Sequence, residues 1–130
     1  MKTQQSGFTL IELIAVIVVL GILAATALPK FVDMSSAAKQ AAVDGVAGNL
    51  SSAVALNYAN TVAVNAGVTT GITKISVANC TDASALLGGG LPTGYTITSA
   101  AIAANAYVTC TLTGPGTTPK TSTFQGIGSI

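Results

Sequence analysis

The chain has 130 residues, enough for one small domain; half are hydrophobic and only 7% are charged. A formal net charge of +1 leaves no electrostatic footprint for nucleic acid, and the absence of histidine removes the commonest metal ligand and general base. Mean hydropathy is +0.68, high for a soluble protein, and a chain this rich in Ala, Val, Ile and Leu is not disordered.

The first element is a short polar leader, "MKTQQSG", followed by a mostly apolar run from Phe8 to Leu28 that Pro29 ends. At about 1.5 Å per residue this run is long enough to cross a bilayer as a helix. Lys2 and the start amine favour keeping the leader in the cytoplasm. Two processing readings are open. A secretory signal peptidase would accept Ala25-Thr26-Ala27 and release a soluble protein beginning at Leu28. A cut after Gly7 would instead leave the apolar run attached to the mature chain.

Glu12 bears on that choice. A carboxylate inside the membrane costs roughly 3 kcal/mol, and nothing in the secretory reading offsets it. A cut after Gly7 creates an amine at Phe8, one helical turn before Glu12. The carboxylate then has a cation to pair with, on its own chain or a neighbour's, and the helix N-terminus favours it as well. The plainer reading is a helix-end acid that snorkels to the membrane surface.

Helical character is expected to continue past Pro29. Val43, Val46/Ala47, Leu50, Ala53/Val54 and Asn57/Tyr58 recur at three- and four-residue steps, with Lys39, Asp44 and Asn49 off the stripe. The spacing predicts one helix from Phe8 to about Tyr58, apolar all round in its first half and amphipathic in its second. Gly21 and Pro29 mark an expected kink, because proline lacks the donor and crowds the preceding turn. The amphipathic half is expected to lie against a globular head.

Residues 65 to 71 read as a loop. Short β-branched and aromatic runs follow at Ile72–Val77, Tyr95–Thr98, Tyr107–Leu112 and Thr121–Ile127. "GGGLPTG" and "GPGTTPK" supply turn chemistry between them, and Asp82–Leu87 fits one short helical turn. This predicts three or four antiparallel strands. The glycine run at 88–90 lacks the Lys-Ser or Lys-Thr of a phosphate cradle and reads as a loop.

Cys80 and Cys110 follow an export-like segment, which favours a disulfide over a metal site. Such a bridge would stabilise a small head by roughly 3–4 kcal/mol on the chain-entropy model. Asn49-Leu50-Ser51 and Asn79-Cys80-Thr81 match the N-glycosylation pattern, as short patterns do by chance. No catalytic constellation emerges: Asp33 and Asp44 are out of phase on the helix for paired-acid chemistry, and no cofactor motif is present.

One stretch carries a family resemblance. Gly7-Phe8-Thr9-Leu10-Ile11-Glu12, before a long apolar run and with Pro29 placed to kink it, resembles the type IV pilin signature of the type IVa branch. Residues 30 to 53 are more faintly similar to pilins of the mannose-sensitive haemagglutinin type. The resemblance implies an α+β fold, in which a long kinked N-terminal helix packs on a small antiparallel β head. It divides the chain into a leader (1–7), a transmembrane and filament-core helix half (8–29), an amphipathic half (30–58) and a head (59–130). It implies cleavage between Gly7 and Phe8 by a prepilin peptidase, N-methylation of Phe8, and residence in the inner membrane as precursor. The pilus assembly machinery would then draw the subunit into an extracellular helical homo-oligomer used for adhesion, attachment or motility. There Glu12 would meet the Phe8 amine of an adjacent copy. Cys80 and Cys110 would bracket a surface-displayed segment.

The resemblance implies a structural protein, a major pilin, and neither an enzyme nor a metal or nucleic-acid binder. The runner-up is a pseudopilin of a type II secretion system or a minor pilin. Asp82 is the only head acid, too few for the calcium site that a major pseudopilin would carry. Lys74 and Lys120 make a poor phosphate surface for a DNA-binding minor pilin. A soluble adhesin cut after Ala27 is the remaining reading. Phe8, Phe31 and Tyr58 are too sparse for a conducting aromatic stack.

Overall fold

Five elements follow in chain order in the computed structural model, which describes residues 7–68 and 70–130. Helix α1 spans Leu10–Asn65, a 3-10 helix spans Cys80–Leu86, and strands β1 (Thr96–Ile97), β2 (Tyr107–Thr113) and β3 (Thr121–Ile127) complete the chain. The leader up to Ser6, with Lys2, and Thr69 of the expected loop lie outside the described residues. The architecture is α+β: a long N-terminal helix and a small antiparallel sheet of order β1-β2-β3.

The chain divides into two units, Met1–Ala37 and Ala38–Ile130, and α1 contributes to both. In the first unit none of residues 7–37 is buried. Val, Leu, Ile and Ala occupy every side of this helix portion, so no single face is marked for burial. The helical assignment is continuous through Gly21 and Pro29. Pro29 has no N–H for the carbonyl four residues back. One turn earlier, the Thr26 hydroxyl donates to the carbonyls of Leu23 and Ile22 at 3.0 and 3.3 Å.

In the second unit α1 is amphipathic and its stripe is buried. Val43, Ala47, Leu50, Val54, Asn57 and Thr61 face inward at the expected three- and four-residue steps. The apolar members share one core with Val77, Cys80, Ala83, Ile102, Cys110, Leu112 and Phe124. On β2 the alternation of strand side chains puts Cys110 and Leu112 in that core and leaves Tyr107 and Thr109 outside. β2 and β3 pair over their full length, from Tyr107↔Ile127 to Thr113↔Thr121. Gly114 N–H donates to the Lys120 carbonyl at 2.8 Å and continues the ladder into the connecting loop.

Two elements differ from the sequence expectation. The helix runs past Tyr58 to Asn65. It ends where Gly67 takes a positive φ of 96°, with the N–H of Gly67 on the Val64 carbonyl and that of Val68 on the Ala63 carbonyl, both at 3.0 Å. This is a Schellman ending, and the left-handed position is one that glycine takes without strain.

The run Ile72–Val77 is not a strand. Its backbone is held by a side chain instead: the Asn57 amide donates to the Ile75 carbonyl and accepts from the Ile75 N–H, both at 2.8 Å. Asn57 also donates to Ser129 Oγ at 2.8 Å, and only Val77 pairs in β fashion, with Ser129. A buried amide that copies the hydrogen bonding of a neighbouring strand removes the need for one.

Candidate functional site

The residues that the sequence singles out fall into two places. The first is the amino end of α1. Phe8 is 84% exposed, and Gly7 and Glu12 are exposed too. Thr9 stands just before the helix and Glu12 on its first turn. The Thr9 N–H and hydroxyl donate to Glu12 Oε2 at 2.9 and 2.7 Å, and the Glu12 N–H is 3.4 Å from the Thr9 hydroxyl oxygen. That reciprocal arrangement is a capping box, which satisfies donors that the first turn of any helix leaves without partners. Thr-x-x-Glu is a readable signal for it, so Glu12 has a capping role beside its charge.

The geometry has a chemical consequence. Every atom of this box lies on the Phe8 side of a Gly7–Phe8 cut, so the cap survives cleavage. Thr9 fixes the Glu12 carboxylate at the very start of the helix. A carboxylate placed there, exposed and the only charge in the helix before Lys30, is available to a cation from another molecule. Behind it α1 is long and apolar enough to cross a membrane, and that apolar window is unburied within the structure.

The second place is the head staple. Cys80 and Cys110 form a disulfide across 30 residues, with Cα atoms 5.7 Å apart. It joins the start of the 3-10 helix to the centre of β2. Gly126 on β3 lies beside it: a Cβ there would come within 2.7 Å of both Cys110 Sγ and the Ile102 side chain.

The 3-10 helix has its own capping box. The Asn79 side chain accepts from the Thr81 N–H at 3.1 Å, and Asp82 accepts from the Asn79 N–H at 2.8 Å. Asn79 Nδ2 also donates to Ser99 Oγ at 3.0 Å. The sugar-acceptor nitrogen of the Asn79-Cys80-Thr81 pattern is therefore engaged in holding the head together. Among the described residues no cluster of His, Cys, Asp or Glu is suited to hold a metal ion.

Comparison with known proteins follows the same division. The prokaryotic N-terminal methylation motif matches residues 2–28, the leader and apolar run. The type IV narrow pilus major component PilA5 of Thermus thermophilus is 53% identical over 53 residues, 41% of this chain and 46% of that protein. The type IV major pilin protein PilE1 of Neisseria gonorrhoeae is 47% identical over 60 residues, 46% of this chain and 36% of its own length. The fimbrial protein EcpC of Eikenella corrodens is 42% identical over 60 residues, 46% of this chain and 39% of its own length. No solved structure matches the chain.

The motif and the amino end of α1 define a class: prokaryotic chains whose first apolar helix carries an N-terminal methylation signal. The relatives that share this amino-terminal part are type IV pilins, matched over less than half of this chain. They are named as pilus or fimbrial components. The chain covers less than half the length of these curated relatives.

Proposed function

We propose that this chain is the major subunit of a type IV pilus. It would be held in the inner membrane by residues 8–29 as a precursor and later assembled into an extracellular helical filament. A prepilin peptidase cuts between Gly7 and Phe8 and the new Phe8 amine is methylated. Glu12, presented by Thr9, pairs with the Phe8 amine of an adjacent copy. A bend at Gly21 and Pro29 lets the helices follow the filament core. Residues 30–58 and the head beyond them form the outer part of the filament, stapled by the disulfide.

The observation that carries this reading is a carboxylate fixed by a capping box at the start of a helix whose first portion, to Ala37, has no buried residue. A helix of that kind needs an apolar surrounding, and a buried charge in such a surrounding needs a partner. Identical helices packed side by side supply both, because each brings one amine and one carboxylate at the same depth. The pilus and fimbrial names of the relatives support the same reading.

The test is the intact mass of the protein sheared from cells, before and after reduction. A mass that starts at Phe8, carries one extra methyl group and gains two protons on reduction is expected. A mass that starts at Leu28 would overturn the proposal, since Glu12 would then belong to a discarded signal. Recovery by shearing further separates an external filament from the pseudopilin alternative, which stays in the periplasm.

A further inference from the structure

A pocket of about 90 Å³ lies within the second unit, lined by Lys39, Ala42, Val43, Tyr95, Pro115 and Lys120. Three separate segments build it: α1, the turn before β1, and the loop between β2 and β3. The enclosure depends on two close approaches. Gly94 has a positive φ of 85°, and a Cβ there would come within 2.8 Å of Pro115 Cβ. Gly114 packs so closely on Val43 that a Cβ would collide with its methyl group, and the Tyr95 ring edge is 3.7 Å from the same point. The turn that carries Tyr95 is closed by its N–H on the Pro92 carbonyl at 3.1 Å.

The chemistry of the lining is uneven. Its floor and walls are Ala42, Val43, Pro115 and an aromatic ring, and its charges are two lysines of the same sign. The whole chain holds only five basic residues, so two of them at one pocket is a marked concentration. No acid lines the pocket. Asp44, the acid nearest to Lys39 in sequence, accepts from the Gln40 amide at 2.9 Å.

We propose that this pocket binds a carboxylate-bearing sugar, a uronic acid residue of an acidic polysaccharide. Lys39 and Lys120 take the carboxylate. Tyr95 and Pro115 take the apolar face of the ring. Two ammonium groups beside an apolar wall suit a ligand with one charge and one carbon-hydrogen face, since each part meets its complement. Inorganic phosphate shares the anionic chemistry but has no apolar face. The site lies wholly in the second unit and does not rest on filament assembly.

The test titrates the full-length protein, isotope-labelled and in a neutral detergent, with digalacturonate, with its neutral methyl ester and with inorganic phosphate. Amide shifts are read by NMR. Digalacturonate is expected to give saturable shifts at Val43, Tyr95 and Lys120. The ester and phosphate are each expected to bind at least tenfold more weakly. Lys39→Gln with Lys120→Gln should weaken digalacturonate at least tenfold, and the corresponding arginine pair should restore it. Equal binding of the ester would show that charge recognition is wrong. Equal binding of phosphate would reduce the site to a general anion site and overturn the sugar assignment. Absence of saturable shifts at these residues would overturn the site itself.

Discussion

The two portions of α1 are the same secondary structure made from opposite designs. Between Leu10 and Ala37 the helix has no buried residue; between Ala38 and Asn65 it has six. Leu20 is 59% exposed and Leu50 is 0% exposed, although both are leucines in one helix. The later portion spends its apolar stripe within the chain. The earlier portion buries none of its apolar side chains within the chain. The difference predicts where stability is kept: inside the subunit for the head, between molecules for the amino end.

The strongest way to break this comparison is Glu12→Ala. If the amino end is stabilised between molecules, filament recovered by shearing should fall at least tenfold. Loss of one partner from a buried charge pair costs about 3–5 kcal/mol. Membrane insertion of the precursor should be unchanged or improved, and the melting temperature of the head unchanged. Normal amounts of surface filament would sink the assigned role of Glu12.

A matched pair of leucines tests the same contrast within single molecules. Leu50→Ala should destabilise the head by about 2–5 kcal/mol, because it opens a cavity in a closed core. Leu20→Ala should leave head unfolding in neutral detergent within about 0.5 kcal/mol of the parent. Thermal unfolding followed by near-UV circular dichroism reads both. The pairwise outcome matters more than either value: equal losses would mean that the two helix portions are not energetically distinct.

Opening the disulfide by Cys80→Ser with Cys110→Ser should cost the head about 3–4 kcal/mol, the value expected for closing a loop of this length. A smaller loss follows from Asn57→Leu. The Ile75 N–H would lose its partner, at about 1–3 kcal/mol for the group left unsatisfied, while the Ile75 carbonyl keeps the Ser129 hydroxyl at 3.2 Å. Hydrogen exchange at Ile75 should then rise more than at Cys110, which would locate the damage in the 72–77 segment.

Much of this was legible in the sequence, for reasons that particular residues make plain. The buried stripe of α1 follows its helical period, and β2 and β3 follow from a turn, "GPGTTPK", between two β-rich runs. The expected helix stops near Tyr58, where its stripe ends, and gives no role to Asn60 and Thr61 just beyond. In the structure they point into bonds of their own, with Asn60 on the Thr73 carbonyl and Thr61 on the Asn57 carbonyl.

The 72–77 segment has the composition of a strand but lost its ladder to one amide, a tertiary effect that propensity does not register. Both capping boxes were present in the letters as Thr-x-x-Glu and Asn-x-x-Asp, and a search for caps would have found them. The pairing of Lys39 with Lys120 at one pocket was not readable. It depends on how the start of β3, at Thr121 and 81 residues downstream of Gln40, is held by the Gln40 side chain.

The smallest predicted effect sharpens the comparison most, because it separates a local device from a global one. Thr9→Val keeps the shape of the side chain and removes its hydroxyl. The Thr9 backbone N–H can still donate to Glu12, so half of the capping box remains. The loss should be about 1 kcal/mol and confined to the first turn. Amide exchange should therefore quicken at Ile11, Glu12 and Leu13, whose own N–H reaches only the Thr9 carbonyl at 3.3 Å. Exchange across β2 and β3 should not change. Thr9→Ser should restore the parent rates, since serine brings the same hydroxyl to the cap. If the head also loosened, the amino end would be contributing stability within the chain, and the division drawn between the two helix portions would fail. If only the first turn loosened while filament yield fell, the cap would be acting through the placement of Glu12, which is the way a residue without charge can govern a charge pair.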